Sequence, residues 1–250
     1  MAIDLNADLG EEAGLGGTDV ALLAVVTSAH IACGFHAGDP SAMRRTVQAA
    51  VEAGVVVGAH PSYADREGFG RRPVDRSPIE VADDVAYQIG ALQGIARGAG
   101  GTVRSVKPHG ALYNRVADDE VTAAAVAGAV RDAGDALVLV LPAGSPALAV
   151  ASGAGVAVAA EGFCDRGYLA DGSLAPRDAP GGVVTEPDVA AARAVALATG
   201  RPFPAIDGTS LELRCDTLCV HGDTPGSHAI ALAVRRALAE AGVEVRPFAR

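Results

Sequence analysis

Five prolines set the frame into which this chain can fold. Asp39-Pro40, Ser77-Pro78, Ser145-Pro146, Glu186-Pro187 and Thr224-Pro225 each place proline where it can serve as the first helical residue, a position whose N–H has no partner in any helix. Four of the five preceding residues are of capping type, and Ser77-Pro78-Ile79-Glu80 is a complete capping box. Each Ala-rich stretch that follows stops near a glycine: Gly54, Gly98, Gly153, Gly200 and Gly242. Two further helices are expected, from Asp118 to Ala133 before Gly134, and a shorter one over Asp19 to Val26.

Seven short apolar runs fall between these helices: Ile3–Ala7, Ser28–Cys33, Val55–Ala59, Val103–Val106, Ala136–Leu141, Val156–Ala160 and Thr217–Val220. Several are apolar almost throughout instead of alternating, as strands of a parallel sheet covered on both faces are. With no break in composition, strand–helix alternation over residues 1–250 predicts a single α/β domain. Its expected form is an irregular, TIM-like (β/α) barrel of about seven strands. A doubly wound open sheet has the same pattern, and periodicity alone does not choose between them. Aromatic residues make up only 4% and Trp is absent, so the core must be built from Ala, Val and Leu with closely packed backbones.

The polar residues gather at one end of the predicted strands. In chain order they are Asn6, Asp8 and Glu11; His36 and Asp39 in ACGFHAGDP; His60 and Tyr63 in GAHPSY; Lys107, His109 and Asn114 in VKPHGALYN; Glu161, Asp165 and Arg166 in EGFCDRGY; and His221 and Asp223 in VHGDTP. Each group follows the C-terminal end of a strand, whereas the strand starts carry almost nothing ionisable. That rim is where α/β barrels and open α/β sheets bind substrates. Four of the six histidines (36, 60, 109 and 221) lie on it, while His30 and His228 fall outside the glycine-flanked loops and read as structural or exposed. Asp39 and Asp223 precede prolines and have a second reading as helix caps.

Lys107 is the only lysine; the other 19 of the 20 basic residues are arginine. A surface ion pair tolerates arginine. A compact ammonium with a shiftable pKa cannot be replaced by a planar guanidinium, so Lys107 points to a functional pocket. The polar segment Gly162–Gly182 is longer than a routine connection and reads as a lid or binding loop, with Arg166 and Arg177 available to grip a carboxylate. GFGRR, Gly68–Arg72, is a second anion-binding candidate, equally readable as a solvated turn. Asp8 with His36 and His60 make an O,N,N set suited to Zn²⁺ or Mn²⁺, but no pair has local ligand spacing, so no metal site is assigned. Without a metal, the same groups position water and move protons.

Several function classes are excluded. A formal charge of −10 with no basic patch argues against nucleic acid, and no apolar run is long enough to span a membrane. Neither G-x4-G-K-[ST] nor G-x-G-x-x-G after a strand occurs, so any nucleotide is held in another way. Cys33, Cys164, Cys215 and Cys219 do not form a disulfide framework and read as small buried hydrophobes. The opening MAIDLNADLGEE has neither a basic nor an apolar leader segment, which leads to the expectation of a cytoplasmic protein.

The blocks IDLNADLGE, IACGFHAGDP, VGAHPSYADREGFGRR, YQIGALQG, VKPHGALYN, CDRGYLADGSLAPR and VHGDTP together resemble the LamB/YcsF family, from Ile3 to Pro225. One departure is His30, where the family usually has Asn. The resemblance implies a variant (β/α) barrel related to glycoside hydrolases and polysaccharide deacetylases. It also implies ATP-dependent opening of the lactam of 5-oxo-L-proline to L-glutamate, carried out with separate B and C subunits, ATP being used by the whole complex. On that basis Asp8, His36 and His60 would position and deprotonate water, and Lys107 and His109 would stabilise negative charge. Arg166 or Arg177 would hold the substrate carboxylate, with Asn6, Glu11, Tyr63, Asn114, Asp165, His221 and Asp223 completing the substrate surface. Two other readings remain open: a stand-alone metal-dependent deacetylase acting on a carbohydrate or amide, and a non-catalytic substrate-binding subunit.

Overall fold

The computed structural model describes residues 1–12, 15–134 and 136–249. Seven parallel strands close on themselves: β1 (Ala2–Leu9), β2 (Ser28–Ala32), β3 (Val56–His60), β4 (Val103–Val106), β5 (Val138–Pro142), β6 (Ala157–Phe163) and β9 (Thr217–His221). Each pairs with the next, and β9 pairs back onto β1 with Asp4 opposite Thr217 and Asp8 opposite His221. This is the irregular seven-stranded (β/α) barrel, and the open sheet is excluded. Three short strands were not expected: an antiparallel ribbon of β7 (Phe203–Pro204) and β8 (Ser210–Leu211), and β10 (Glu244–Val245), which extends the sheet at the start of β1.

Around the barrel lie α1 (Gly17–Leu23), α2 (Pro40–Glu52), α3 (Pro78–Gly98), α4 (Gly110–Asp118), α5 (Glu120–Ala133), α6 (Ala147–Gly153), α7 (Pro187–Thr199) and α8 (Ser227–Glu240). Proline opens α2, α3 and α7 as expected, and the Ser77/Glu80 capping box is formed. Asp39 caps α2, its carboxylate accepting from the N–H groups of Ser41 and Ala42. Two prolines depart from the expectation. Pro146 is the cap of α6 instead of its first residue. Pro225 precedes α8 altogether, because Gly226 adopts a left-handed conformation before the helix begins at Ser227. Asp223 therefore caps nothing and is free for a different contact.

The interior of the barrel corrects the picture of uniformly apolar strands. Along β1 the side chains alternate: Ile3, Leu5, Ala7 and Leu9 join the hydrophobic core, while Asp4, Asn6 and Asp8 are buried polar groups. Successive strand residues point to opposite faces, so the second set shares the barrel axis. Asp4, at the start of β1, accepts from the hydroxyls of Thr27, Ser28 and Thr217. Asn6 Nδ2 then donates to Thr217 Oγ1 at 2.7 Å and Glu161 Oε1 at 3.1 Å. A hydrogen-bonded column thus rises from the closed end of the barrel to its mouth, where side chains of Val, Ile and Leu would commonly stack.

Asp19, in the first turn of α1, accepts from the Gly10 N–H at 3.0 Å, and burial raises its pKa to about 6. The folded state binds this proton more tightly than the unfolded chain, so stability falls as pH rises through the window from about 4 to 6. Asp19→Asn, which keeps an acceptor for Gly10, is expected to be more stable than wild type at pH 8, by at most about 3 kcal/mol, and no more stable at pH 4. Denaturant titration at the two pH values measures this; an equal effect at both removes the assignment.

Candidate active site

Lys107 follows β4 and its ammonium is buried at the centre of the mouth. Nζ lies 2.6 Å from Asp8 Oδ1, 2.9 Å from Glu161 Oε1, 2.9 Å from Asn6 Oδ1 and 3.3 Å from Cys219 Sγ. The Asp8 contact is an ion contact without hydrogen-bond geometry, so Oδ1 has no hydrogen-bond partner. Burial alone would lower the lysine pKa, but the carboxylates of Asp8 and Glu161 and the Cys219 sulfur outweigh it and hold the pKa well above its ordinary value. Burial likewise pushes Asp8 up, yet His60 and Lys107 prevail and keep its carboxyl well below the usual range. The ammonium is surrounded by acceptors and has no proton left for an outside partner. Its geometry suits it to fixing Asp8 and Glu161, which differs from the charge-stabilising role the resemblance suggested.

The network extends on both sides. Tyr113 on α4 donates its hydroxyl to Glu161 Oε2 at 2.7 Å. His30 lies fully buried between Asn6 Oδ1 at 3.2 Å and Ser105 Oγ at 3.1 Å. Burial holds this imidazole well below its ordinary pKa, so it is neutral. Its ring needs Gly58: a Cβ there would come within 2.5 Å of His30 Cδ2, at the point where the β3–β4 register shifts. His30 thus spans from Asn6 to Ser105 across the barrel interior.

A second group meets Asp8 from the other side. His60 Nδ1 lies 2.7 Å from the Lys107 carbonyl, which can only accept, so Nδ1 carries a proton, while Nε2 faces His109 Nδ1 at 2.9 Å. His109 Nε2 donates in the same way to the Phe69 carbonyl at 2.9 Å, leaving its lone pair on Nδ1. The Ser62 hydroxyl donates to the Tyr63 carbonyl and accepts from His36 Nδ1 at 2.8 Å, leaving the His36 lone pair on Nε2. Burial keeps His36 and His109 well below their ordinary pKa. Burial, and then the Asp8 charge, raise Glu11 to about 7. His60 Nε2 is 3.5 Å from Asp8 Oδ2. The set with metal-ligand spacing is Glu11, His36, His60 and His109, whose ligand atoms all lie within 4.8 Å of one another. Asp8, expected in such a set with His36 and His60, instead groups with Cys219 and His221.

These side chains open on a cavity of about 730 Å³, whose wall includes Asp8, His60, Lys107, His109, Tyr113 and Glu161. Asn114, His221 and Arg177 also face it. Asn6, Glu11 and His36 stand behind that wall. Tyr63 is buried away from it, its hydroxyl accepting from Arg115 at 3.3 Å, so it anchors structure. Asp165 is fully buried too, accepting from the N–H and ring Nδ1 of His221 and from Thr224. It therefore orients His221 and does not itself reach the cavity. Arg166 reaches the wall but spends its guanidinium on the carbonyls of Gly182 and Ala175 at 2.9 and 2.5 Å, which makes it a poor clamp. Arg177 and, in the GFGRR turn, Arg71 face the cavity with a displaceable partner. Arg71 Nη2 lies 2.5 Å from Asp223 Oδ2, and Arg177 Nη2 lies 3.7 Å from Asp223 Oδ1. Tyr113, Glu161 and Cys219 received no role from the sequence. Glu161 stood visibly at a strand end; Tyr113 and Cys219 are ordinary-looking members of apolar segments.

All four cysteines are unpaired, and among the described residues no helix is long and apolar enough to cross a membrane. Comparison with solved structures gives a TM-score of 0.92 and 45% identity to a lactam utilization protein from Thermus thermophilus, covering 99% of this chain and 100% of that one. A putative cellobiose-phosphate cleavage protein from Enterococcus faecalis shares the fold alone, with a TM-score of 0.55 at 10% identity, covering 98% of this chain and 96% of that one. Among curated sequences, a 5-oxoprolinase A subunit of Agrobacterium fabrum is 51% identical, covering 99% of this chain and 98% of its own length. The 5-oxoprolinase A subunit of Streptomyces griseus is 54% identical, covering 99% and 100%. Residues 3–250 match the LamB/YcsF family as a whole, and the chain belongs to that family.

Proposed function

We propose that this chain is the A subunit of an ATP-dependent 5-oxoprolinase that opens 5-oxo-L-proline to L-glutamate together with B and C subunits in the cytoplasm. The observation that carries the reading is the ionised Asp8 carboxylate, fixed by Lys107 and facing His60 Nε2 across 3.5 Å at the wall of the cavity. Full-length likeness to proteins named as the 5-oxoprolinase A subunit supports the substrate.

A five-membered lactam is a stable amide, and phosphorylation of its carbonyl oxygen by ATP makes the carbon electrophilic. Water held between Asp8 and His60 attacks that carbon and gives up its proton to this pair. The C–N bond breaks as the ring nitrogen takes a proton, and a second water releases phosphate and the new carboxylate. Lys107 and Glu161 keep Asp8 in place throughout, and Tyr113 holds Glu161. Arg71 and Arg177 exchange Asp223 for the substrate carboxylate.

Co-expression with the B and C subunits and a glutamate-release assay test the reading. Release is expected only with all three subunits and ATP; equal release by B and C alone would reject it. In that assay Arg71→Ala is expected to raise KM for 5-oxoproline at least about 10-fold with a smaller change in kcat, since it removes binding common to ground and transition states. An unchanged KM would move the carboxylate site elsewhere.

A further inference from the structure

The imidazole cluster has a feature that ring opening does not require. His36 Nε2, His60 Nε2, His109 Nδ1 and Glu11 Oε1 gather within 4.8 Å of one another, and the other nitrogen of each ring is already committed outward to Ser62, Lys107 or Phe69. Glu11 Oε1 lies 3.1 Å from His36 Nε2, 3.4 Å from His109 Nδ1 and 3.8 Å from His60 Nε2, and the last two nitrogens are 2.9 Å apart. A shared proton relieves lone-pair repulsion between two such atoms at a time, whereas one metal ion can serve three or four of them together. Atoms bound tetrahedrally at about 2.0–2.1 Å around one Zn²⁺ lie about 3.3 Å from each other, the middle of this range. The outward acceptors fix each tautomer in the way that partners of metal-bound histidines do.

We propose that this chain binds one divalent transition-metal ion, of Zn²⁺ type, through Glu11, His36, His60 and His109. The neighbouring set of Asp8, Cys219 and His221 is not the site, because the Lys107 ammonium already lies against Asp8 and Cys219. His36 and His109 stack in parallel, centroids 3.9 Å apart and planes 4° apart, so one ion cannot lie in both ring planes. Coordination by both makes one of the pair turn; otherwise the ion keeps Glu11, His60 and one of them, with a position open to water. Occupancy of the site stands on this geometry alone. Its part in ring opening, where a water on the ion would face Asp8, rests on the proposed function.

The probe is Co²⁺, titrated into the full chain after chelator treatment and dialysis, followed by visible absorption and metal content. Saturation at one Co²⁺ per chain with four- or five-coordinate ligand-field bands, displaced by one equivalent of Zn²⁺, is the expected result. Glu11→Gln and His60→Gln are expected to weaken binding at least about 100-fold. Ser62→Ala, which changes no ligand and removes only the His36 partner, is expected to weaken it about 10–100-fold. His228→Gln, exposed and remote, leaves it unchanged. Lack of saturable binding by wild type would overturn the proposal, and so would binding lost in Cys219→Ser but kept in His60→Gln. The wild-type titration decides alone should a histidine variant not fold. Glutamate release is read separately, so a chain that binds Co²⁺ without supporting turnover rejects the proposed function and leaves the site standing.

Discussion

Lys107→Arg is expected to lower glutamate release by the proposed three-subunit complex at least about 100-fold while the chain remains folded. The ammonium fits among Asp8, Glu161, Asn6 and Cys219 at 2.6 to 3.3 Å. A guanidinium keeps the charge but is planar and larger, and its forked donors cannot meet four acceptors arranged around one nitrogen. Asp8 then moves, and a displacement of about 1 Å at the reacting carboxylate suffices for a loss of this size. Overpacking adds about 1–3 kcal/mol of destabilisation, which a domain of ordinary stability survives. Lys107→Met separates charge from shape. It matches the aliphatic stem but leaves Asp8 and Glu161 buried without their counter-ion, at a cost of about 3–5 kcal/mol. A lower melting temperature in the Met variant than in the Arg variant, with both inactive, is the expected pattern. Wild-type turnover in Lys107→Arg would remove lysine from the machinery.

Such a centre is only partly legible in a sequence. The seven barrel strands were locatable because proline, glycine and capping residues mark their neighbours, and the rim histidines because each follows a strand end. The register on β1 was also present in the letters, as Asp4, Asn6 and Asp8 at every second position, but the surrounding leucines and alanines masked the alternation. What completes the column could not be seen: Thr217 meets Asp4 and Asn6 only after the barrel closes, 211 or more residues away. β10 and the β7–β8 ribbon are two-residue strands without a periodic signal, and α4 runs almost directly into α5. Arg71 and Arg166 are alike as letters. Only the carbonyls of Gly182 and Ala175 show that Arg166 is occupied, and only the Asp223 contact shows that Arg71 can be released. Cys219 reads as a small hydrophobe and is one, except that its sulfur faces the ammonium.

Gly110→Ala is expected to damage the mouth of the barrel through a single added methyl. Gly110 opens α4 directly after His109 and has φ +58°, a conformation that disfavours any side chain. Its Cβ would lie 2.4 Å from the carbonyl oxygen of Gly70, which is backbone and cannot rotate aside. Gly70 itself has φ +67° and is wedged against His36 and His109, so it has no room to retreat. The same carbonyl accepts from the Ala111 N–H at 2.9 Å, and the adjoining Phe69 carbonyl accepts from His109. Relief of the clash therefore separates two loops, leaves the first turn of α4 unsatisfied and frees the His109 ring to turn. Strain of about 1–2 kcal/mol for the left-handed residue and about 1 kcal/mol for the lost hydrogen bond add to the steric term. Together they are expected to lower the melting temperature by about 6 °C or more in a chain of this size. Gly90→Ala, a glycine within α3 whose added Cβ meets nothing within 4 Å, is the matched control and is expected to be neutral or stabilising. Equal melting temperatures for the two variants would mean that the Gly70–Gly110 contact is loose in solution, and His109 would then lack the rigid support on which its tautomer depends.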